Sequence, residues 1–121
     1  MRDRIAEFRF DQRDDVLVAS VEGEIDSSNA AELRLALSDR LPSSASALVL
    51  DLTEVTYIDS SGIHLLFDLG RRLAARRQAI RLVVPAAAPM RRVLELCAVD
   101  SVAPMDHDLD ASMRAVAETQ I

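Results

Sequence analysis

Several residue types that would point to particular functions are rare or missing in this sequence. It contains no lysine, no tryptophan, three glycines and one cysteine, and aromatic residues make up 3% of its 121 residues. No glycine-rich loop is present that could cradle a phosphate, which disfavours nucleotide chemistry. Cys97 is the single cysteine, so an intrachain disulfide is excluded and a reducing compartment is expected.

The charge balance is acidic, with a formal net charge of -6 at pH 7. Nucleic acids and anionic membranes favour basic surfaces, so we expect neither as a partner. No apolar run approaches the roughly 18 to 20 residues that span a bilayer. The segment "MRDRIAEFRF" also lacks the apolar core of a signal peptide. We therefore expect a cytoplasmic protein.

The spacing of apolar residues predicts one α/β domain over residues 1–121. An opening β-hairpin is followed by strands that alternate with helices, which indicates a mixed, mainly parallel sheet with about four helices. Predicted strands lie at 5–10, 15–22, 47–52 and 79–84, with a short edge strand within 101–105. Predicted helices begin near residues 29, 60, 89 and 109.

Helix starts and buried faces can be predicted from the same spacing. Asn29 and Glu32 resemble a capping box for the first helix, with Ser28 as an alternative cap. The third helix is expected to bury Met90, Val93, Leu94 and Cys97. The second is expected to bury one side made of Ile63, Leu66, Phe67, Gly70, Leu73 and Ala74.

Little in the sequence supports an enzyme active site or a metal site. Ser60, His64 and Asp68 are spaced four apart and superficially resemble a triad. Side chains stacked on one helix point outward, however, and the G-x-S-x-G nucleophile pattern is absent. A solvated polar stripe is the better interpretation, with His64 and Asp68 in contact.

The acidic segment 106–110, "DHDLD", begins like a calcium loop. Ala111 and Ala117 occupy the positions that require glycine and glutamate. An acidic helix start explains the segment better. We expect no enzyme activity, no metal and no cofactor.

Asp59, Ser60, Ser61 and Gly62 lie where a predicted strand leads into a helix. Asp59 or Ser60 could act simply as the N-cap of that helix. Alternatively, a serine at a helix N-terminus can carry a phosphate, because the free amides and the helix dipole favour an anion. The residues themselves leave both interpretations open.

The segment "LVLDLTEVTYIDSSGIHLL" resembles the signature of the anti-sigma factor antagonists, small single-domain members of the STAS superfamily. "VEGEIDSSNAAEL" resembles a second motif of that family, a G-E-x-D stretch before the first helix. The resemblance covers nearly the full length and implies a STAS fold. It also implies partner switching.

Under this resemblance, Ser60 is the serine phosphorylated by an anti-sigma factor that is also a serine kinase. A PP2C-type phosphatase would restore the unphosphorylated form, which binds the anti-sigma factor. Partner-binding residues would be Asp26, Asp59, Ser61, Gly62 and His64. His64 departs from the family, in which this position is commonly small. The alternative is a STAS module of a stress-signalling scaffold or lipid-transport complex, with Ser60 only a cap.

Overall fold

The structure is a computed structural model that describes residues 7–119, and a five-stranded sheet forms its centre. β1 (Glu7–Arg13) and β2 (Val16–Ile25) pair antiparallel in an opening hairpin. β3 (Ala47–Ile58), β4 (Ala79–Val83) and β5 (Met105–Asp106) then add in parallel, in chain order. The predicted mixed, mainly parallel sheet is thus confirmed. Residues 5 and 6 of the first predicted strand lie outside the described part.

Four α-helices connect or follow these strands within residues 7–119, in agreement with the prediction. They are α1 (Ala30–Arg40), α2 (Ser60–Ala75), α3 (Pro89–Leu96) and α4 (Leu109–Thr119). Pro89 occupies the first turn of α3, where its missing N–H leaves no bond unmade. A short 3₁₀ helix, Val99–Ser101, precedes β5.

The sheet separates two unequal apolar cores. The larger core packs α1, α2 and α3 against one face, with Leu33, Leu66 and Leu94 almost completely buried. The smaller core packs Val116 of α4 against the other face. Residues 47–50 of β3 are buried throughout, as expected for a strand covered on both faces.

Two strands extend further than their apolar runs predict. β2 continues to Ile25 and β3 to Ile58, and these two residues are paired in the parallel ladder. The added portion of β3 alternates between exposed polar residues and the buried Val55 and Ile58, so backbone pairing with β2 sustains the strand after the continuous apolar run ends. As a result, both strands end side by side.

Two predicted helix faces need correction. In α3, Met90 and Leu94 are buried, but Val93 is 43% exposed and Cys97 is exposed. Cys97 is the C-cap of α3 and the next residue, Ala98, adopts a left-handed conformation, so helical spacing no longer fixes the direction of the cysteine. In α2, Ala74 is exposed instead of buried, because it lies at the edge of the face centred on residues 62, 66, 69 and 73.

Candidate functional site

The carboxyl ends of β2 and β3 place two loops against each other. The Asp59 N–H donates to the Ile25 carbonyl oxygen at 3.1 Å. The Ser27 N–H donates to Asp59 Oδ2 at 3.3 Å. Asp59 therefore joins the loop before α1 to the start of α2, across 32 residues of sequence.

Asp59 is also the N-cap of α2, one of the two caps predicted. Its Oδ1 accepts hydrogen bonds from the N–H groups of Ser61, at 2.9 Å, and Gly62, at 3.2 Å. These bonds satisfy amides that have no partner within the helix. Because the carboxylate supplies the cap, the exposed hydroxyl of Ser60 is not required for it.

Gly62 is buried where α2 begins to pass over the end of β3. A Cβ at this position would lie 2.4 Å from Cγ1 of Ile58 and 3.0 Å from Cγ2 of Ile25. No real side chain fits at such distances. The glycine is needed for the close approach of helix and sheet, and this approach fixes where Ser60 is presented.

The second loop is organised by Asp26 and Asn29. Asp26 Oδ1 accepts hydrogen bonds from the N–H of Ser28, at 2.9 Å, and from its hydroxyl, at 2.5 Å. The Ser28 hydroxyl and then the Ser28 backbone N–H hold the pKa of the Asp26 carboxyl below its usual value, since both bonds favour the charged form. A carboxylate is thereby maintained beside Asp59.

The predicted capping box of α1 is wrong. Asn29 is the N-cap residue by position, yet its side chain makes no capping bond. It turns back into the loop, where Oδ1 accepts from the Asp26 N–H and Nδ2 donates to the Glu24 carbonyl oxygen. The alternative cap is wrong too, because the Ser28 hydroxyl donates to Asp26.

A groove of about 400 Å³ runs between α1 and α2 beside the start of α2. It is lined by Ala30, Ala31, Arg34, Ser61, His64, Leu65 and Asp68. The predicted contact between His64 and Asp68 is wrong. Asp68 instead lies 3.7 Å from both Arg34 and Arg72, so the triad-like series is not assembled.

The predicted site residues therefore come together at one end of the molecule. Ser60 and His64 are exposed, Asp26, Asp59 and Ser61 are half-buried, and Gly62 is buried. Prediction missed the loop contacts of Asn29 and the position of Arg34 in the groove. Asn29 carried no distinguishing signal, because Asn is common both at caps and in loops.

Within residues 7–119, no group of three or more His, Cys, Asp or Glu side chains is arranged to hold a metal ion. No helix in the same range is long and apolar enough to cross a membrane.

The family model of the STAS domain matches residues 7–112. This chain belongs to the STAS domain family. The fold of this STAS domain is similar to that of an anti-sigma factor antagonist from Mycobacterium paratuberculosis. The two are 30% identical with a TM-score of 0.83, over 93% of this chain and 95% of the other.

Two further proteins are similar to this chain. The candidate anti-sigma factor antagonist BtrV of Bordetella bronchiseptica is 28% identical over 106 residues, which cover 87% of this STAS domain chain and 90% of BtrV. The anti-sigma factor antagonist SpoIIAA in its unphosphorylated form shares the fold, with a TM-score of 0.70 at 18% identity over 93% of this chain and 98% of SpoIIAA. The resemblance to the anti-sigma factor antagonists is confirmed.

Proposed function

We propose that this STAS domain binds an anti-sigma factor that is also a serine kinase, and that phosphorylation of Ser60 ends this binding. The protein would thereby regulate sigma-factor-dependent transcription, with a PP2C-type phosphatase restoring the active form. One observation carries the proposal. Ser60 presents an exposed hydroxyl at the first position of α2, while Asp59 supplies the helix cap.

The start of α2 can accept a phosphate without unfolding. The dipole of a helix N-terminus stabilises a nearby negative charge by about 0.3 to 1 kcal/mol. Ser60 bears neither the cap nor any part of the core. Modification would therefore change the surface and leave the packing of α2 intact.

The surroundings of Ser60 support a role for its neighbours in partner recognition. Asp26 and Asp59 are half-buried carboxylates in loops joined by the Ser27–Asp59 hydrogen bond. A partner fitted to this surface would meet two fixed negative charges and one neutral hydroxyl. A phosphate adds about -1.5 to -2 charges at neutral pH, and like charges brought together in this way disfavour binding strongly.

The remaining residues of the proposed partner-binding surface have different roles. Ser61 and His64 line the groove between α1 and α2, where a side chain of the partner could enter. Gly62 acts indirectly, because its lack of a side chain allows the close packing that positions Ser60. His64 is a bulky residue at a position where the family commonly has a small one. We therefore expect His64 to influence which anti-sigma factor binds.

A phosphorylation assay with two matched variants tests the proposal. The chain is incubated with ATP and anti-sigma factor kinases from the source cells, and the site is mapped by mass spectrometry. Ser60→Ala should abolish labelling. Ser61→Ala should retain it, since the backbone N–H that Asp59 binds is preserved. Labelling on Ser61 alone, or undiminished labelling of Ser60→Ala, would reject Ser60 as the acceptor.

A further inference from the structure

His64 lies one helical turn after Ser60 on α2, and both side chains are exposed. Residues four apart on a helix are neighbours, with about 5 to 6 Å between their Cβ atoms. Side chains on a helix also lean toward its N-terminus. Residues 60 and 64 therefore share one face of α2, and a side chain at residue 64 can reach the turn that contains Ser60.

The charged groups around His64 are largely occupied by other partners. Asp68, the next residue along the stripe, lies 3.7 Å from Arg34 of α1 and equally far from Arg72. Asp59 accepts hydrogen bonds from backbone amides. Asp26 accepts two from Ser28. A phosphate on Ser60 would be a new and stronger acceptor within reach of the imidazole.

We propose that His64 binds the phosphate of phosphorylated Ser60, an inference that rests on the function proposed above. The second pKa of phosphoserine is about 6, so the phosphate changes charge close to neutral pH. An imidazolium beside the phosphate favours its dianion and offsets part of its charge. Loss of that contact should therefore raise the pH at which the phosphate becomes a dianion.

The proposal is tested by ³¹P NMR titration of the full chain with phosphoserine incorporated at position 60 during translation. His64→Gln should raise the midpoint of the phosphate titration by about 0.5 to 1 pH unit, because an adjacent cation lowers the pKa of an acid. The matched control is His107→Gln, which removes the other of the two histidines at an exposed position outside the groove. It should leave the midpoint unchanged.

Two results would overturn the proposal. One is an equal midpoint in wild type and His64→Gln, with circular dichroism showing that both are folded. The other is a raised midpoint in Arg34→Gln with none in His64→Gln, which would assign the phosphate to the guanidinium that shares the groove. Because phosphoserine is incorporated without any kinase, this result does not depend on the labelling assay. If the kinase labelling assay fails, the proposed function is rejected. The ³¹P NMR titration still shows whether His64 binds the phosphate.

Discussion

Gly62 couples the start of α2 to the sheet, and a single methyl group tests this coupling. In an open helix, Gly→Ala is stabilising by about 1 kcal/mol. At residue 62 the new Cβ would fall 2.4 Å from the Ile58 side chain. We expect Gly62→Ala to lower the free energy of unfolding by about 1 to 3 kcal/mol, the usual effect of overpacking.

Urea unfolding measures this change directly. Ser60→Ala is the control in the same turn, and because Ser60 is exposed, its effect should stay within about 0.5 kcal/mol. A Gly62→Ala protein as stable as wild type would mean that the helix can move away from Ile58. The close approach of α2 to the sheet would then not explain why residue 62 is a glycine.

At the residue scale, prediction succeeded where a local signal was strong. An aspartate and two serines before a glycine, after an apolar strand, predict that Asp59 or Ser60 caps α2, and the structure shows that Asp59 is the cap. Asn29 and Cys97 were assigned incorrectly for the same physical reason. Both lie at helix ends, where tertiary contacts and the path of the loop decide the direction of a side chain.

At the scale of elements, sequence located the helices and strands but not the ends of β2 and β3. Both strands extend beyond their continuous apolar runs. The pairing of Ile25 with Ile58 is a long-range contact, which the local spacing of apolar residues does not reveal. Because β2 and β3 end side by side, the loop that contains Asp26 lies next to Asp59. From the sequence, only the family resemblance indicates that these two residues are neighbours.

The carboxylate of Asp106, in the two-residue strand β5, contacts both β4 and α4. Asp106 accepts two hydrogen bonds from Arg81 of β4, at 2.7 and 3.1 Å, and one from the Ser112 hydroxyl of α4, at 2.6 Å. Burial of Asp106 raises its pKa, but hydrogen bonds from Arg81 and Ser112, with the charges of Arg81 and His107, outweigh this, so the net pKa is lowered. Asp106 thus links α4 to the sheet.

A depressed pKa in the folded state has a defined sign for stability. The stabilisation is present above the ordinary aspartate pKa of 3.8 and is lost as pH falls through the lower folded value. Asp106→Asn should therefore destabilise the protein by about 2 kcal/mol at pH 7, the scale of hydrogen bonds to a charged group. The difference from wild type should narrow below about pH 4.

Urea unfolding at several pH values tests this dependence. Asp11→Asn is the matched control, because Asp11 pairs with Arg13 at 2.8 Å while its side chain is 60% exposed, and such pairs contribute about 0 to 1 kcal/mol. An Asp106→Asn deficit that stays constant into acid would show that its charge does not hold β5 and α4 in place.

At the scale of the whole molecule, the alternation of apolar segments predicts the mixed, mainly parallel sheet and the four helices, and two motifs indicate the family. The residues around Ser60 do not by themselves decide whether Ser60 caps α2 or accepts a phosphate. The structure assigns the cap to Asp59, which removes the main reason to regard Ser60 as structural. The acidic surface of the molecule, with a net charge of -6, is compatible with a switch that adds further negative charge.

Under the proposed function, a phosphate on Ser60 ends partner binding while the fold is preserved. Calorimetric titration of the anti-sigma factor with unphosphorylated and Ser60-phosphorylated protein tests it most directly. Every 1.4 kcal/mol changes the affinity tenfold, and the repulsion of a phosphate beside Asp59 and Asp26 should weaken binding by about two orders of magnitude or more. Circular dichroism of the two forms should be the same. Equal affinities of the unphosphorylated and phosphorylated forms for the anti-sigma factor would contradict the proposed switch.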